Sequence, residues 1–300
     1  MLKHMLGAGA ALTFSPLSIA GPSTEDIRTR PIPSSGEPLP CVGLGTWQQF
    51  DVAPNGPARE ALKTVLHQLV QLGGSVVDSS PMYGRAEAVV GDLSTELGIT
   101  DDIFGATKVW TRGRDDGIEQ MRRSMRRMNQ QPMDLMQVHN LIDWNTHLDT
   151  LQRWKDDGTV RYIGITHYTT QAFDDLASII ERRDIDFVQL PYSIETPRAE
   201  RRLLPLAAEN DVGVLVNKPF EGGSLFGRVD GVPLPEWTSA FDCESWAQFF
   251  LKYILSHEAV TCVIPGTSDP EHVRDNVRAG YGRLPDNDTR NRMRSTLNGL

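Results

Sequence analysis

Two abutting pieces, VVD (Val76 to Asp78) and SSPMYGRAE (Ser79 to Glu87), decide how the chain is read. A short β-branched run ends at Asp78, passes through two serines and a proline, and reaches Tyr83 and Gly84 before a helix-like segment begins. Apolar runs of this length, bounded by turn residues, are the pattern of strands buried on both faces of a parallel sheet. The pattern recurs at Val42–Thr46, Ile103–Lys108, Leu135–His139, Tyr162–Thr166, Phe187–Leu190, Val212–Val216 and Thr261–Ile264, which with Val76–Ser79 makes eight strand candidates. Helix-period segments lie between them. Eight strands alternating with helices over residues 41–300 predict a single-domain (β/α)8 TIM barrel. An open doubly wound sheet is the rival arrangement. Residues 21–40 read as a linker and a hairpin-like lead-in rich in Pro, Ser and Gly, and Phe220 to Asp242 as one long loop after the seventh strand.

Two helical stripes support this division. Ile118, Met121, Met125 and Met128 share one face, and the arginine pairs 122/123 and 126/127 lie off it. Those arginines read as a solvated face rather than a phosphate patch. Trp246, Phe249, Phe250, Tyr253 and Ile254 form an aromatic stripe that reads as core rather than as a ligand box.

The totals fit a folded globular chain: 39% of the 300 residues are hydrophobic and 23% charged. A net charge of -9 argues against general nucleic-acid binding. Cys41, Cys243 and Cys262 include no CxxC pair, so neither a disulfide framework nor a zinc ribbon is supported. Residues 1–20, MLKHMLGAGAALTFSPLSIA, carry Lys3 and His4, an apolar run, and small residues at Ser18 and Ala20. That order is the pattern of an export signal, with a frayed helix as the alternative. No twin-arginine pair is present, although Leu2-Lys3 resembles the tail of that export consensus. The run is too short and interrupted to span a bilayer. The expectation is an exported or periplasmic monomer with no membrane span in the mature chain and with export machinery as a partner. The location is cytoplasmic if residues 1–20 are not a functional signal.

Active sites of such barrels sit at the C-terminal ends of the strands. There the second strand ends at Asp78 with Tyr83 in the next loop, the third at Lys108 and the fourth at His139. Any one of these has an ordinary structural explanation, as a cap, a packed ring or a solvated charge. Four at adjacent strand ends point to one site. One His and one Asp are too few for a metal, so no metal site is expected. No GxSxG motif is present, and Ser79 and Ser80 read as turn residues. Two chemistries remain. Lys108 suits a Schiff-base lyase. Alternatively, Tyr83 donates a proton, with the Lys108 ammonium lowering its phenol pKa, Asp78 holding Lys108 charged and His139 orienting a substrate carbonyl. The second set protonates the alkoxide formed when hydride adds to a carbonyl.

With these residues in place, GLGTW (43–47), Asp78 with SSPMYG (79–84), ATKVW (106–110), QVHN (137–140) and VIPGT (263–267) resemble the aldo-keto reductases, collinearly from about Arg30 to Tyr281. The resemblance implies a (β/α)8 barrel using NADP(H) ahead of NAD(H) to interconvert a small carbonyl compound and its alcohol. It implies Tyr83 as acid/base, Lys108 and Asp78 as its tuning pair and His139 as the orienter. A non-catalytic barrel that senses redox state through the same cofactor is a further reading of the resemblance.

The resemblance also distributes the cofactor. Gly45, Thr46 and Trp47 lie beside the nicotinamide and substrate; Thr166, His167 and Gln189 meet its carboxamide. Asn217 stands where the family often has a stacking aromatic, and Lys218, Pro219 and Phe220 follow it, with Gly222 and Gly223 able to admit the pyrophosphate. Gly266, Thr267, Ser268, His272, Asp275 and Asn276 align with the adenosine end. The family's lysine position is Gly266 and its frequent arginine is His272, with Arg274 as a neighbouring cation. Trp47, Trp110 and Asn140 are the candidate substrate contacts, and Trp144 reads as packing.

Overall fold

The computed structural model describes residues 26–300, so residues 1–20, read as an export signal, lie outside the described residues. Two short strands come first, β1 (Thr29–Pro31) and β2 (Pro38–Pro40), paired antiparallel as the lead-in hairpin. Eight strands follow: β3 (Leu44–Gly45), β4 (Val76–Asp78), β5 (Phe104–Val109), β6 (Met133–His139), β7 (Val160–Thr166), β8 (Phe187–Pro191), β9 (Gly213–Asn217) and β10 (Cys262–Val263). They lie in chain order, each parallel to the next. Bridges between Val42 and Val263 and between Gly45 and Gly266 join the first strand to the last. The order has no reversal point and the edges meet, so the sheet is a closed (β/α)8 barrel and the open doubly wound alternative is excluded.

The helices are α1 (Pro57–Gln71), α2 (Ala86–Leu97), α3 (Arg114–Met128), α4 (Trp144–Asp156), α5 (Phe173–Ile180), α6 (Leu203–Glu209), α7 (Ser224–Arg228), α8 (Trp246–Leu255), α9 (Pro270–Arg278) and α10 (Asn287–Asn298). The run from Phe220 to Asp242 is not a plain loop: it contains α7 and 3-10 segments at Glu221–Gly223 and Glu236–Phe241. Leu225 and Phe241 are buried there, and those anchors give the segment local order. On α3, Met121, Met125 and Met128 are buried as their spacing predicts, while Arg127 leaves the solvated face to pair with Glu87 at 3.4 Å.

The seam explains Gly45. A Cβ there would lie 2.9 Å from the Ile264 carbonyl oxygen, so only glycine lets β3 and the β10 strand close. At the opposite end of the barrel, Ile32 and Leu39 of the hairpin join Val76, Phe104, Tyr162 and Phe187 in one interior cluster. The hairpin therefore plugs the end at which the strands start. Strand alternation then decides what the other end carries. Every second residue continues the inward face, so Val76 leads to Asp78, Ala106 to Lys108, Leu135 to Gln137 and His139, Tyr162 to Thr166, Phe187 to Gln189, and Leu215 to Asn217. The interior turns from apolar to polar at the C-terminal rim.

Candidate active site

Asp78 and Lys108 form the centre of that polar end. Lys108 is fully buried, and its Nζ donates to Asp78 Oδ2 at 2.7 Å and to the Ser79 carbonyl at 2.6 Å. Asp78 Oδ1 accepts from Gln137 Nε2 at 3.1 Å and Gln189 Nε2 at 2.9 Å. The carboxylate is thus met by one ammonium and two amides, which is how a buried charge is tolerated. Gln189 Oε1 in turn accepts from Thr166 Oγ1 at 3.0 Å and Asn217 Nδ2 at 3.3 Å. Burial opposes a charge on Lys108, but Asp78 and then Tyr83 outweigh it, and the ammonium is held above its ordinary pKa.

Tyr83 stands over this pair, with the Lys108 ammonium 5.1 Å from its ring centre. The turn carrying it depends on Gly84, whose φ is 62° and whose Cβ would lie 2.3 Å from the Asp51 carboxylate. The phenol differs from the sequence expectation. Burial raises its pKa, Lys108 lowers it and Asp78 raises it again, and the net direction is upward. The ammonium moderates the shift without reversing it, so the phenol holds its proton firmly. His139, 6% exposed, lies edge-on to Tyr83 with ring centres 6.0 Å apart. Burial first, then Lys108 and His167, drive its pKa down to about 3, so the imidazole is neutral. Its Nδ1 lies 3.2 Å from Ser80 Oγ. A protonated phenol, a fixed ammonium and a neutral imidazole around one opening can deliver a proton to an oxygen that gains negative charge.

The other predicted positions divide. Thr46 is fully buried, and its hydroxyl is spent on the Asp78 carbonyl and Ser79 Oγ, both at 3.0 Å, so it braces the end of β4 rather than facing the mouth. Trp47 and Trp110 are exposed at the rim, 53% and 42%, and Asn140, just past the end of β6, has a buried Oδ1 with no partner. Gln120 clamps both backbone polar atoms of Trp110, accepting from its N–H at 2.5 Å and donating to its carbonyl at 3.2 Å. Trp144 packs against the core, as read from sequence. His167 stacks flat on Tyr168 at 5.4 Å, and the Lys218 ammonium lies 4.8 Å from the Tyr168 ring centre. Asn217 Oδ1 is buried and unpartnered. Pro219 is buried beside it, and Gly222 and Gly223 have φ of 68° and 97°.

A cleft of 530 Å³ opens between the loop after β9 and the start of α9. Gly266, Thr267, His272, Asp275, Asn276 and Phe220 line it together, with Ser268 exposed alongside. Phe226, Ser245, Trp246 and Ala247 complete the lining. Sequence reading missed these four, and it assigned Trp246 to the core; the ring stacks on Phe250 at 5.9 Å and also borders the cleft. It likewise missed Gln137, although strand parity with His139 marks it as inward. Asp275 is less free than expected, because Oδ2 accepts from Ser245 Oγ and Oδ1 from Gln248 Nε2, both at 2.7 Å. No group of three or more His, Cys, Asp or Glu side chains able to hold a metal occurs among the described residues.

Comparison with known proteins places this geometry. Residues 41–293 match the family model described as Aldo/keto reductase family. Methylglyoxal reductase YeaE of Escherichia coli (strain K12) is 26% identical, covering 80% of this chain and 84% of that protein. The NADH-specific methylglyoxal reductase of the same organism is 24% identical over 86% of this chain and 95% of its own. A crystal structure of an aldo-keto reductase from Klebsiella pneumoniae in complex with NADPH superposes with a TM-score of 0.73 at 22% identity, covering 87% of this chain and 92% of that one.

Proposed function

The chain belongs to the aldo/keto reductase family, and on that premise we propose that it interconverts an aldehyde or ketone and its alcohol with a nicotinamide dinucleotide. The observation that carries this reading is the fully buried Lys108 ammonium, fixed between Asp78 Oδ2 and the Ser79 carbonyl beneath the Tyr83 ring. A solvated lysine needs no such cage. An amine poised for Schiff-base chemistry must also be neutral, and Asp78 keeps this one charged.

Residues of the inner rim suit the nicotinamide end of the cofactor. The orphaned Asn217 Oδ1 is a buried acceptor that a carboxamide N–H would satisfy, and Thr166, His167 and Gln189 surround it. Phe220, Thr267, His272, Asp275 and Asn276 would hold the adenosine end in the cleft. Bound there, the cofactor supplies or accepts the hydride. The relatives divide over its phosphate: one is named NADH-specific, and another is described with NADPH.

In the reduction direction Tyr83 gives its proton to the nascent alkoxide. The raised pKa ensures that the phenol starts protonated, and the phenolate formed is stabilised by the ammonium beside it. Ser80 at Nδ1 leaves Nε2 of the neutral His139 to donate to the substrate oxygen and orient it. Trp47, Trp110 and Asn140 border the substrate. The relatives act, by their names, on small aldehydes, which makes methylglyoxal a first assay substrate.

Tyr83→Phe tests the assignment. It should lower kcat about 10²–10⁴-fold while the fluorescence titration with reduced dinucleotide is unchanged. Turnover within a few-fold of wild type would remove Tyr83 from the acid/base role.

A further inference from the structure

The cleft between the loop after β9 and α9 is lined by no lysine or arginine among the described residues. Its chargeable lining side chains are His272 and Asp275. The neighbouring arginines lie outside the lining and each forms an exposed surface ion pair. Arg274 Nη1 donates to Glu271 Oε2 at 3.0 Å, and Arg278 Nη1 to Glu244 Oε2 at 3.2 Å. The start of α9, which would otherwise favour an anion, already carries one of its own, because Asp269 Oδ1 accepts from the Glu271 N–H at 2.8 Å. With Glu271 and Glu244 offset by those arginines, Asp269 at the helix start and Asp275 in the lining leave the cleft without net positive charge.

The remaining lining is suited to a neutral nucleoside. Phe220, Phe226 and Trp246 give an aromatic wall, with the first two ring centres 4.8 Å apart. Asn276 is 4% exposed, lines the cleft and has no side-chain hydrogen bond among the described residues. Its amide is therefore open to a ligand in the cleft, and an amide matches the paired donor and acceptor on an adenine edge. Asp275 keeps acceptor capacity as well: a carboxylate has about four lone-pair sites, and Ser245 and Gln248 occupy two. A ribose 2′-hydroxyl can donate to such an oxygen. A 2′-phosphate brings only negative charge and acceptors to it.

We propose that this cleft selects the cofactor without a 2′-phosphate, NAD(H) over NADP(H), with Asp275 as the specificity-determining residue. This departs from the NADP(H) expectation drawn from family resemblance, and it rests on the cleft being the adenosine end of the cofactor site. The departure is physical. A 2′-phosphate is best met by a cation in the site itself, and the cleft lining supplies no lysine or arginine and instead presents the Asp275 carboxylate.

The full chain is titrated with NADH and NADPH by cofactor fluorescence. Adenosine 5′-phosphate and adenosine 2′,5′-bisphosphate are titrated calorimetrically, so binding is read without turnover. NADH and the monophosphate should bind at least tenfold tighter than their 2′-phosphorylated counterparts, equivalent to about 1.4 kcal/mol. Equal or tighter binding of the 2′-phosphorylated ligands overturns the selection while leaving cofactor use intact. Binding of none of the four removes both the selection and the site reading beneath it. Asp275→Asn should shift the NADH-to-NADPH ratio at least tenfold toward NADPH. Because Asp275 also joins α8 to α9, the surface variant Glu271→Gln/His272→Arg, which frees Arg274 and adds a cation, serves in parallel and should shift the ratio in the same direction. An unchanged ratio in the folded surface variant overturns the electrostatic assignment.

Discussion

Replacing Asp78 by asparagine isolates the charge at the centre of the barrel. The native carboxylate gives one oxygen to Lys108 and the other to Gln137 and Gln189. Asparagine has one oxygen. If that oxygen faces Lys108, the new NH2 group meets two amide donors. If it faces the glutamines, the NH2 group meets an ammonium that was 2.7 Å from its partner. Gln189 cannot simply turn over, since its Oε1 already accepts from Thr166 and Asn217. Lys108 is fully buried, so the loss is that of a broken buried pair, about 3–5 kcal/mol. The pH dependence has a definite sign. In the native protein Asp78 holds the Lys108 pKa above its ordinary value, so the pair's contribution is complete at neutral pH and is lost only as pH rises through that raised value. In the variant, burial acts unopposed by Asp78 and favours the neutral amine. The deficit should therefore shrink as pH climbs from about 7 toward the ordinary lysine value of about 10.4. Urea unfolding at several pH values measures this directly. The double variant Asp78→Asn/Lys108→Met removes the stranded charge and should recover about 1–3 kcal/mol relative to Asp78→Asn alone. A deficit below about 1 kcal/mol, or a double variant no more stable than the single, would refute the account of a caged ammonium.

His139 should show no imidazole titration in its NMR ring-proton shifts between pH 8 and pH 5, because burial holds its pKa near 3; a midpoint near 6.5 would contradict that environment. The same depressed pKa means that its contribution to stability is present above about 6.5 and falls away as pH drops toward 3, a loss that acid unfolding of His139→Gln against wild type will register. Gly45→Ala places a methyl 2.9 Å from the Ile264 carbonyl oxygen and should cost about 1–3 kcal/mol through overpacking of the seam; an unchanged melting temperature would show that the seam relaxes freely. Trp110→Ala should raise KM for an aromatic aldehyde about tenfold with kcat and melting temperature little altered, since the side chain is exposed; a fall in kcat alone would place it with the proton-transfer set.

What could be read in the sequence follows from which interactions are local. β5, β6 and β8 are buried along their whole length, so each is written as a mostly apolar run, broken chiefly by the polar residues of the rim, that needs no partner to be recognised. Alternation within a strand is local too, and it puts Asp78, Lys108, His139, Thr166 and Gln189 on one inward face before any coordinate is known. Gln137 obeys the same parity and could have been found that way. The cleft obeys no such rule. Ser245 and Trp246 begin α8, while Thr267 and Asn276 lie beyond β10, and only the closing of the barrel brings them together. Ser245 was legible as a helix cap, since it accepts from the Gln248 N–H; its second bond, to Asp275, depends on how α8 and α9 pack.

The phenol of Tyr83 makes the same distinction in electrostatic form. Sequence supplies the neighbours, a lysine and an aspartate from adjacent strands, and their charges act in opposite senses. It does not supply the depth at which the ring sits, and depth is the largest influence here. An ammonium 5.1 Å from the ring centre would lower the pKa of an exposed phenol. Set beside a desolvated ring and a carboxylate that compensates the ammonium, it moderates the rise without reversing it. The consequence for function is an asymmetry between directions. A phenol held protonated is ready to act as an acid in carbonyl reduction, whereas alcohol oxidation must begin from the phenolate. Raising pH should therefore favour oxidation progressively across the alkaline range while reduction stays level. Initial rates in both directions across that range test this, and an oxidation rate that already saturates at neutral pH would show that Lys108, not burial, sets the phenol.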